Sequence, residues 1–235
     1  MSFANAIERI RVLTAGERTT LWLVRFQGTN AVLKQYGVEE AEWYRREVRH
    51  VEQFHRAGFT DMPAILRHDD AERSILYEYV PAGNVWARLL ACRDEQRDQL
   101  ICRTLDAMER EAAMLQNPAL RERSGVGPNP YVCIHRLARR AEAGDVRFAL
   151  LRALARAGDR LPGPFLTTRY DPELTNYLLA SDGRVIGCDF AGIRCCHAFY
   201  LPAYAFVHVA LAWQRMRDPE ARVVLGSFAR AARAR

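Results

Sequence analysis

The chain has 235 residues and a net charge of +6 at pH 7, with 49% hydrophobic and 26% charged residues. This composition is ordinary for a soluble globular protein, and the length fits one large domain or two small lobes. No apolar run approaches the ~20 residues that a membrane-spanning helix needs. Residues 1–9 lack the basic region and long apolar core of a signal peptide, so we expect a cytoplasmic protein.

The basic charge favours anionic partners such as nucleotides or phospholipid headgroups. The arginines are dispersed among acidic residues, however, and the chain has no RNA-binding or zinc-finger signature. We therefore expect no nucleic-acid partner. The six cysteines include no C-x-x-C pair and their spacing fits no usual zinc pattern, so reduced and mostly buried thiols are expected.

The first eighty residues are predicted to form strands around one helix. The strand segments are rich in β-forming side chains and are separated by turn residues. Residues 39–57 have apolar side chains at helical spacing, and Gly58 is the predicted end of that helix. The predicted strands are residues 7–13, 21–26, 31–36, 65–67 and 74–80.

After Pro81 and Gly83 the pattern changes from strands to helices. Asn84 can cap a long amphipathic helix that runs toward Leu115. Residues 117–130 contain three prolines and two glycines, which indicates an exposed loop. Two further strands are predicted at 177–180 and 185–189, and further helices at 131–141, 145–161, 203–216 and from 219 onward.

Lys34 is the one lysine among the 34 basic residues, and it lies in the apolar strand 31–36. A general preference for arginine explains the other basic residues but not the position of this exception. Arginine presents a broad planar fork, whereas lysine presents a compact point charge on a flexible stem. A lysine at the end of an apolar strand is typical of a nucleotide site that holds the α- and β-phosphates.

The strongest motif lies in the predicted late hairpin. Residues 171–176 have the sequence DPELTN, which is of the form D-x-x-x-x-N, and Asp189 follows after a predicted strand, tight turn and strand. Asn176 would begin one strand and Asp189 would end its neighbour, so both side chains can converge on one Mg²⁺, which prefers oxygen ligands. Asp171, on the preceding loop, can orient an attacking hydroxyl group.

With these motifs the chain resembles the protein-kinase-like superfamily, and more closely its aminoglycoside and choline phosphotransferase branch. That branch has H-x-D-x-x-x-x-N, a strand-turn-strand and an acidic metal ligand, and Asp171, Asn176 and Asp189 match position for position. The resemblance implies an α+β, bilobal protein-kinase-like fold. Residues 1–80 would form a small antiparallel-sheet N-lobe and residues 81–235 a compact, mostly helical C-lobe.

The resemblance also implies a role for each matching residue. Lys34, held by Glu47 of the predicted helix, would grip phosphate, while Asn176 and Asp189 would hold Mg²⁺. Asp171 would orient the acceptor hydroxyl and accept its proton. The implied cofactors are ATP and Mg²⁺.

Two further segments resemble parts of a kinase nucleotide site. Residues 76–83, with the sequence LYEYVPAG, look like the hinge that grips adenine, with Tyr77 at the gatekeeper position and backbone groups of Glu78 and Val80 facing the base. The phosphate-covering loop has a single glycine, so Gly16 and Arg18 are weaker candidates for phosphate contacts. Arg194 is a weak candidate for phosphate or acceptor.

The chain departs from the family pattern in two places. Arg169 and Tyr170 stand where the family has the histidine that buttresses the catalytic loop and the metal-binding segment. The segment after Asp189 is short and has no A-P-E motif, which argues against an ordinary protein kinase and favours a small-molecule or glycan acceptor. A looser similarity to lipopolysaccharide core sugar kinases, strongest in residues 19–24 and 31–36, makes contact with the anionic inner membrane face an expectation.

Two other functions stay open at the level of sequence. One is a serine/threonine protein kinase with a specific protein partner, which would transfer phosphate to that partner or to itself. The other is a catalytically impaired pseudokinase that binds nucleotide without turnover, with Arg169 as its mark.

Overall fold

The computed structural model describes residues 7–81, 83–116, 165–169, 173–197 and 219–233. Within these ranges the fold is α+β, with a five-stranded antiparallel sheet and four α-helices. The candidate catalytic residue Asp171 lies outside the described residues. So do the predicted loop at 117–130 and the predicted helices at 131–141, 145–161 and 203–216.

The sheet is built by the first eighty residues, as the sequence pattern predicts. Its strand order is β1-β2-β3-β5-β4, with every neighbouring pair antiparallel. A two-residue turn joins β2 to β3, and Gln27 and Gly28 both have positive φ there, as a tight hairpin requires. The strands are β1 (Ile7–Ala15), β2 (Thr19–Phe26), β3 (Thr29–Tyr36), β4 (Ile65–Asp69) and β5 (Ser74–Glu78).

Helix α1 (Ala41–Arg56) follows a single 3-10 turn and presents one buried stripe to its neighbours. Its end is fixed by Gly58, whose φ is 84°. The amide of Phe59 donates to Phe54 O and that of Gly58 to His55 O, which is the Schellman arrangement that a glycine in the left-handed region permits. The predicted helix and its glycine stop are therefore confirmed.

The helical half has its own apolar core beneath a β-hairpin. The hairpin strands are β7 (Tyr177–Leu179) and β8 (Val185–Gly187), which confirms the predicted pair. The core of the helical half contains Leu89, Ile101 and Met108 among other buried side chains. The helices are α2 (Val85–Ala91), α3 (Asp94–Leu115) and α4 (Pro219–Arg233).

The single long helix predicted after Asn84 is wrong, because two helices occupy its place. Asn84 does cap the first, since its Oδ1 accepts from the amide of Ala87 at 2.8 Å. The backbone then becomes extended at Cys92 and Arg93. The buried Arg97 side chain donates to the carbonyls of Leu89 and Cys92, so the carbonyls freed by the break are satisfied.

A two-stranded sheet that the sequence pattern did not predict pairs β6 (Phe165–Arg169) with β9 (Ile193–His197). A separate apolar cluster joins the two halves, and in it Phe54 of α1 packs against Phe190 with ring centroids 5.3 Å apart. In the part of the chain that the structure describes, no helix has the length and apolar character to cross a membrane.

Candidate functional site

Lys34 lies where the sheet meets the segment after β8. Its side chain points inward from β3 and is 7% exposed. Nζ is 2.7 Å from Glu47 Oε2 and 2.9 Å from Asp189 Oδ1. One cation therefore joins a strand to the next helix in the chain and to a loop that lies 155 positions further on.

The carboxylate of Glu47 accepts hydrogen bonds from three side chains. It is 1% exposed and accepts from Lys34 and Tyr36 on Oε2 and from the hydroxyl of Tyr77, at 2.8 Å, on Oε1. Burial raises the pKa of Glu47, while Lys34 and the Tyr77 hydroxyl act in the opposite direction. The pKa of Tyr77 is raised well above its ordinary value by burial and by the nearby carboxylate, so its hydroxyl keeps the proton that it donates.

Lys34 stays protonated in this setting. Burial alone would lower its pKa, but the negative charges of Glu47 and Asp189 outweigh burial, and the pKa lies above its ordinary value. Two carboxylates share this one cation. Asp189 has a side chain that is 44% exposed, so its partly compensated charge faces solvent and can attract a further cation.

Asp189 has an unusual backbone, with a φ of 65°. This left-handed conformation is uncommon outside glycine, although aspartate tolerates it better than most residues. Hydrogen bonds anchor both sides of the turn. The amide of Cys188 donates to Asn176 O at 2.9 Å, and Nδ1 of His50 is 2.8 Å from Phe190 O.

Asn176 lies in a 3-10 turn (Leu174–Asn176) that ends where β7 begins. Asp189 follows β8 by two residues, so the hairpin brings the two residues to the same end of its strands. Both residues border the same cavity. The structure therefore brings Lys34, Glu47, Asn176 and Asp189 together.

This cavity lies between the five-stranded sheet and the hairpin and has a volume of about 490 Å³, which is within the range of small-molecule sites. Its walls combine the charged group around Lys34 with apolar side chains. Residues 77–81 also line it. The apolar residues that line it include Leu21, Val32, Val51, Met62 and Leu178.

The hinge-like residues Glu78 and Val80 also line the cavity. The amide of Glu78 already donates to Ala64 O at 3.0 Å. Any backbone contact from Glu78 to a ligand would therefore come from its carbonyl oxygen.

Gly16 and Arg18 are not among the described residues that line the cavity. The amide of Gly16 donates to Thr19 O at 2.9 Å and closes the turn between β1 and β2. The guanidinium of Arg18 is largely exposed and lies 3.6 Å from Glu40. The side chain of Arg194 lies outside the described part of the chain.

The sequence pattern missed several residues that shape this site. Tyr36 binds Glu47, His50 binds the Phe190 carbonyl, and Arg11 reaches the cavity from β1. Two of them had a visible signal: Tyr36 lies two residues after Lys34 on the same face of a strand, and His50 lies one helical turn after Glu47.

In the described ranges, no three His, Cys, Asp or Glu side chains are grouped closely enough to hold a metal ion. Comparison of the chain with protein-family models and with curated proteins gives no match.

Proposed function

We propose that this protein is an ATP-dependent phosphotransferase with a bilobal kinase-like fold. It would move the γ-phosphoryl group of ATP to a hydroxyl group of a small molecule or glycan. The contact of Lys34 with both Glu47 and Asp189 at the cavity carries the proposal. A fixed cation beside a half-exposed carboxylate offers one group for phosphate oxygens and another for a divalent metal.

The lining of the cavity supports a nucleotide as its ligand. Leu21, Val32 and Leu178 supply apolar walls that suit a flat base, and Glu78 and Val80 also line the cavity. The charged group around Lys34 would receive the phosphates. The protein would then act mainly by positioning the reactants and neutralising charge.

The residues beside the cavity fit Mg²⁺. Asp189 supplies a carboxylate and Asn176 an amide oxygen, and Mg²⁺ commonly takes one or two protein oxygens, phosphate oxygens and waters. Bound Mg²⁺ would neutralise charge on the phosphates. Asp171 keeps its proposed role, which is to orient the acceptor hydroxyl and accept its proton.

The acceptor class is proposed from the resemblance alone. Sugars, aminoglycosides, choline-like alcohols and lipopolysaccharide core fragments are the compounds to test. A lipopolysaccharide acceptor would bring the protein to an anionic membrane surface, where its net charge of +6 would help.

The direct test is ATP consumption measured against each acceptor class, with Asp171→Asn and Asp189→Asn as variants. We expect Asp171→Asn to keep ATP affinity but to lose turnover by ~10²–10⁴, the usual loss for an acid–base group. Asp189→Asn should weaken Mg-ATP binding itself. Phosphate transfer to a protein would support the protein kinase alternative, and nucleotide binding without turnover would support the pseudokinase.

A further inference from the structure

Helix α1 contacts the segment that carries Asp189 at two points. Glu47 reaches it through Lys34, which contacts both carboxylates. His50, one helical turn further on, reaches it directly, because its Nδ1 is 2.8 Å from Phe190 O. A carbonyl oxygen accepts only, so Nδ1 carries the hydrogen and donates it.

The second contact acts on the backbone immediately after Asp189. The Phe190 side chain is 1% exposed and packs against Phe54 and Phe59, so packing fixes the ring. Packing of the ring does not by itself fix the orientation of the peptide group. His50, which is itself 6% exposed, donates a hydrogen bond to the carbonyl of that peptide group.

The turn at Asp189 gains from such support, because its φ of 65° lies in the left-handed region, which still costs free energy for a non-glycine residue although aspartate tolerates it better than most. The same turn brings the Asp189 carboxylate to 2.9 Å from Lys34. If the backbone of Asp189 relaxed to negative φ, its carboxylate would point away from Lys34 and Asn176 at the cavity.

We infer that His50 is a positioning residue: its hydrogen bond to the Phe190 carbonyl holds Asp189 in the left-handed conformation and so presents the carboxylate to the cavity. The consequence for metal binding rests on the proposed function, whereas the effect on the turn does not. The family pattern has a buttressing histidine where this chain has Arg169. In this chain His50 of α1 supports the same segment through its hydrogen bond to the Phe190 carbonyl.

The test compares three variants of the full-length protein. His50→Leu removes the donor, and His50→Asn places an amide N–H where Nδ1 lies. His55→Leu is the matched control, since His55 is half-buried on the same helix and lines a separate surface pocket. Amide hydrogen exchange of residues 188–192 is measured without ligand. The Mg²⁺ concentration that gives half of the maximal stabilisation by ATP is measured in parallel.

We expect His50→Leu to speed exchange in residues 188–192 and to raise the required Mg²⁺ concentration, each by ~5–10-fold, as the loss of one ordinary hydrogen bond predicts. His50→Asn should bring both the exchange rate and the required Mg²⁺ concentration most of the way back to the wild-type values. ATP binding measured without metal should change less than the Mg²⁺ requirement, because the substitution acts on the metal-binding side of the cavity. A general loss of stability would not produce this difference.

Equal exchange in His50→Leu and His55→Leu would overturn the inference, and so would failure of His50→Asn to restore protection. If the wild type gains no stability from Mg-ATP, the proposed function fails, and the exchange data alone then decide the role of His50. Should His50→Leu not fold, His50→Asn is compared with His50→Gln, whose longer side chain carries the amide past the Nδ1 position. Equal protection in that pair would overturn the inference as well.

Discussion

The carboxylate of Glu47 accepts hydrogen bonds from three side chains in the interior of the molecule: Lys34, Tyr36 and Tyr77. A buried ion pair is weak support for stability by itself, because removing both charges from water is costly. Removing a single donor from such a group is different, since it leaves a desolvated acceptor unsatisfied. The tyrosines are therefore expected to matter beyond their packing.

Tyr77→Phe tests this expectation at one atom. The change removes the donor to Glu47 Oε1 and keeps the ring, so we expect the free energy of unfolding to fall by about 1–3 kcal/mol. Urea denaturation at pH 7 measures the change. Tyr79→Phe, in the same segment and also at the cavity, is the control and should alter stability by less than ~0.5 kcal/mol. Equal effects of the two substitutions would contradict the role of the Tyr77 hydroxyl.

The break between α2 and α3 is the clearest feature at the scale of elements. Arg97 is buried, contacts Asp94 at 2.6 Å and donates to two carbonyls at the end of α2. A charged side chain in this position replaces the backbone donors that a continuous helix would supply.

Arg97→Leu should therefore destabilise the fold by roughly 3 kcal/mol, because buried carbonyls lose their charged donor. Arg93→Leu is the matched control, since Arg93 is exposed in the same connection and should change stability by less than ~0.5 kcal/mol. Thermal and urea unfolding of both variants measure the difference. A continuous helix in Arg97→Leu with unchanged stability would contradict this explanation of the break.

Asp98 of α3 links this helix to α4 through hydrogen bonds. Its carboxylate accepts from the Ser227 hydroxyl and from the Arg230 guanidinium, whose Nη2 lies 3.0 Å from Oδ1. These donors lower the pKa of Asp98 below its ordinary value. A carboxyl group with a lowered pKa in the folded state stabilises the fold above its unfolded pKa of about 3.9 and loses that contribution as the pH falls further.

We therefore expect Asp98→Asn to be less stable than the wild type at pH 7, and the difference to shrink as the pH falls below about 3.9. Urea unfolding of both proteins at neutral and acidic pH measures this trend. Ser227→Ala should reproduce part of the loss at neutral pH, because Ser227 is the main cause of the lowered pKa. A difference that stays constant with pH would show that Asp98 does not couple the two helices through its charge.

At the scale of the whole molecule, the sheet and the helical half meet around the cavity. The Lys34–Asp189 contact and the cluster around Phe190 both cross this boundary. A ligand that bridges the two sides should therefore stabilise the molecule as a unit.

Mg-ATP is expected to raise the melting temperature, since a ligand at ~100 times its dissociation constant adds roughly 2.7 kcal/mol to the free energy of unfolding. Lys34→Arg tests whether the site needs a lysine rather than any positive charge, because it keeps the charge but replaces a compact ammonium group with a broad planar guanidinium. We expect it to lose most of the shift. A wild-type shift no larger than that given by magnesium alone would argue against the nucleotide site.

The sequence by itself determined the local elements of this protein. Alternating residues predicted the strands around Lys34, helical spacing and Gly58 predicted α1, and Asn84 predicted a helix start. The lone lysine selected Lys34, the spacing of the late hairpin selected Asn176 and Asp189, and the resemblance selected Glu47; the structure brings all four to one cavity. Such signals are readable because turns, caps and periodicity depend on residues within a few positions of one another.

The tertiary structure decided the rest. Lys34 meets Asp189 across 155 positions, and β6 pairs with β9 although β7 and β8 lie between them in the chain. The left-handed turn at Asp189 and the helix break near Arg97 likewise depend on partners from other elements or on a buried side chain. The physical reason is that the backbone preferences of single residues are small in free energy. Hydrogen bonds and packing that form only when distant segments meet outweigh them.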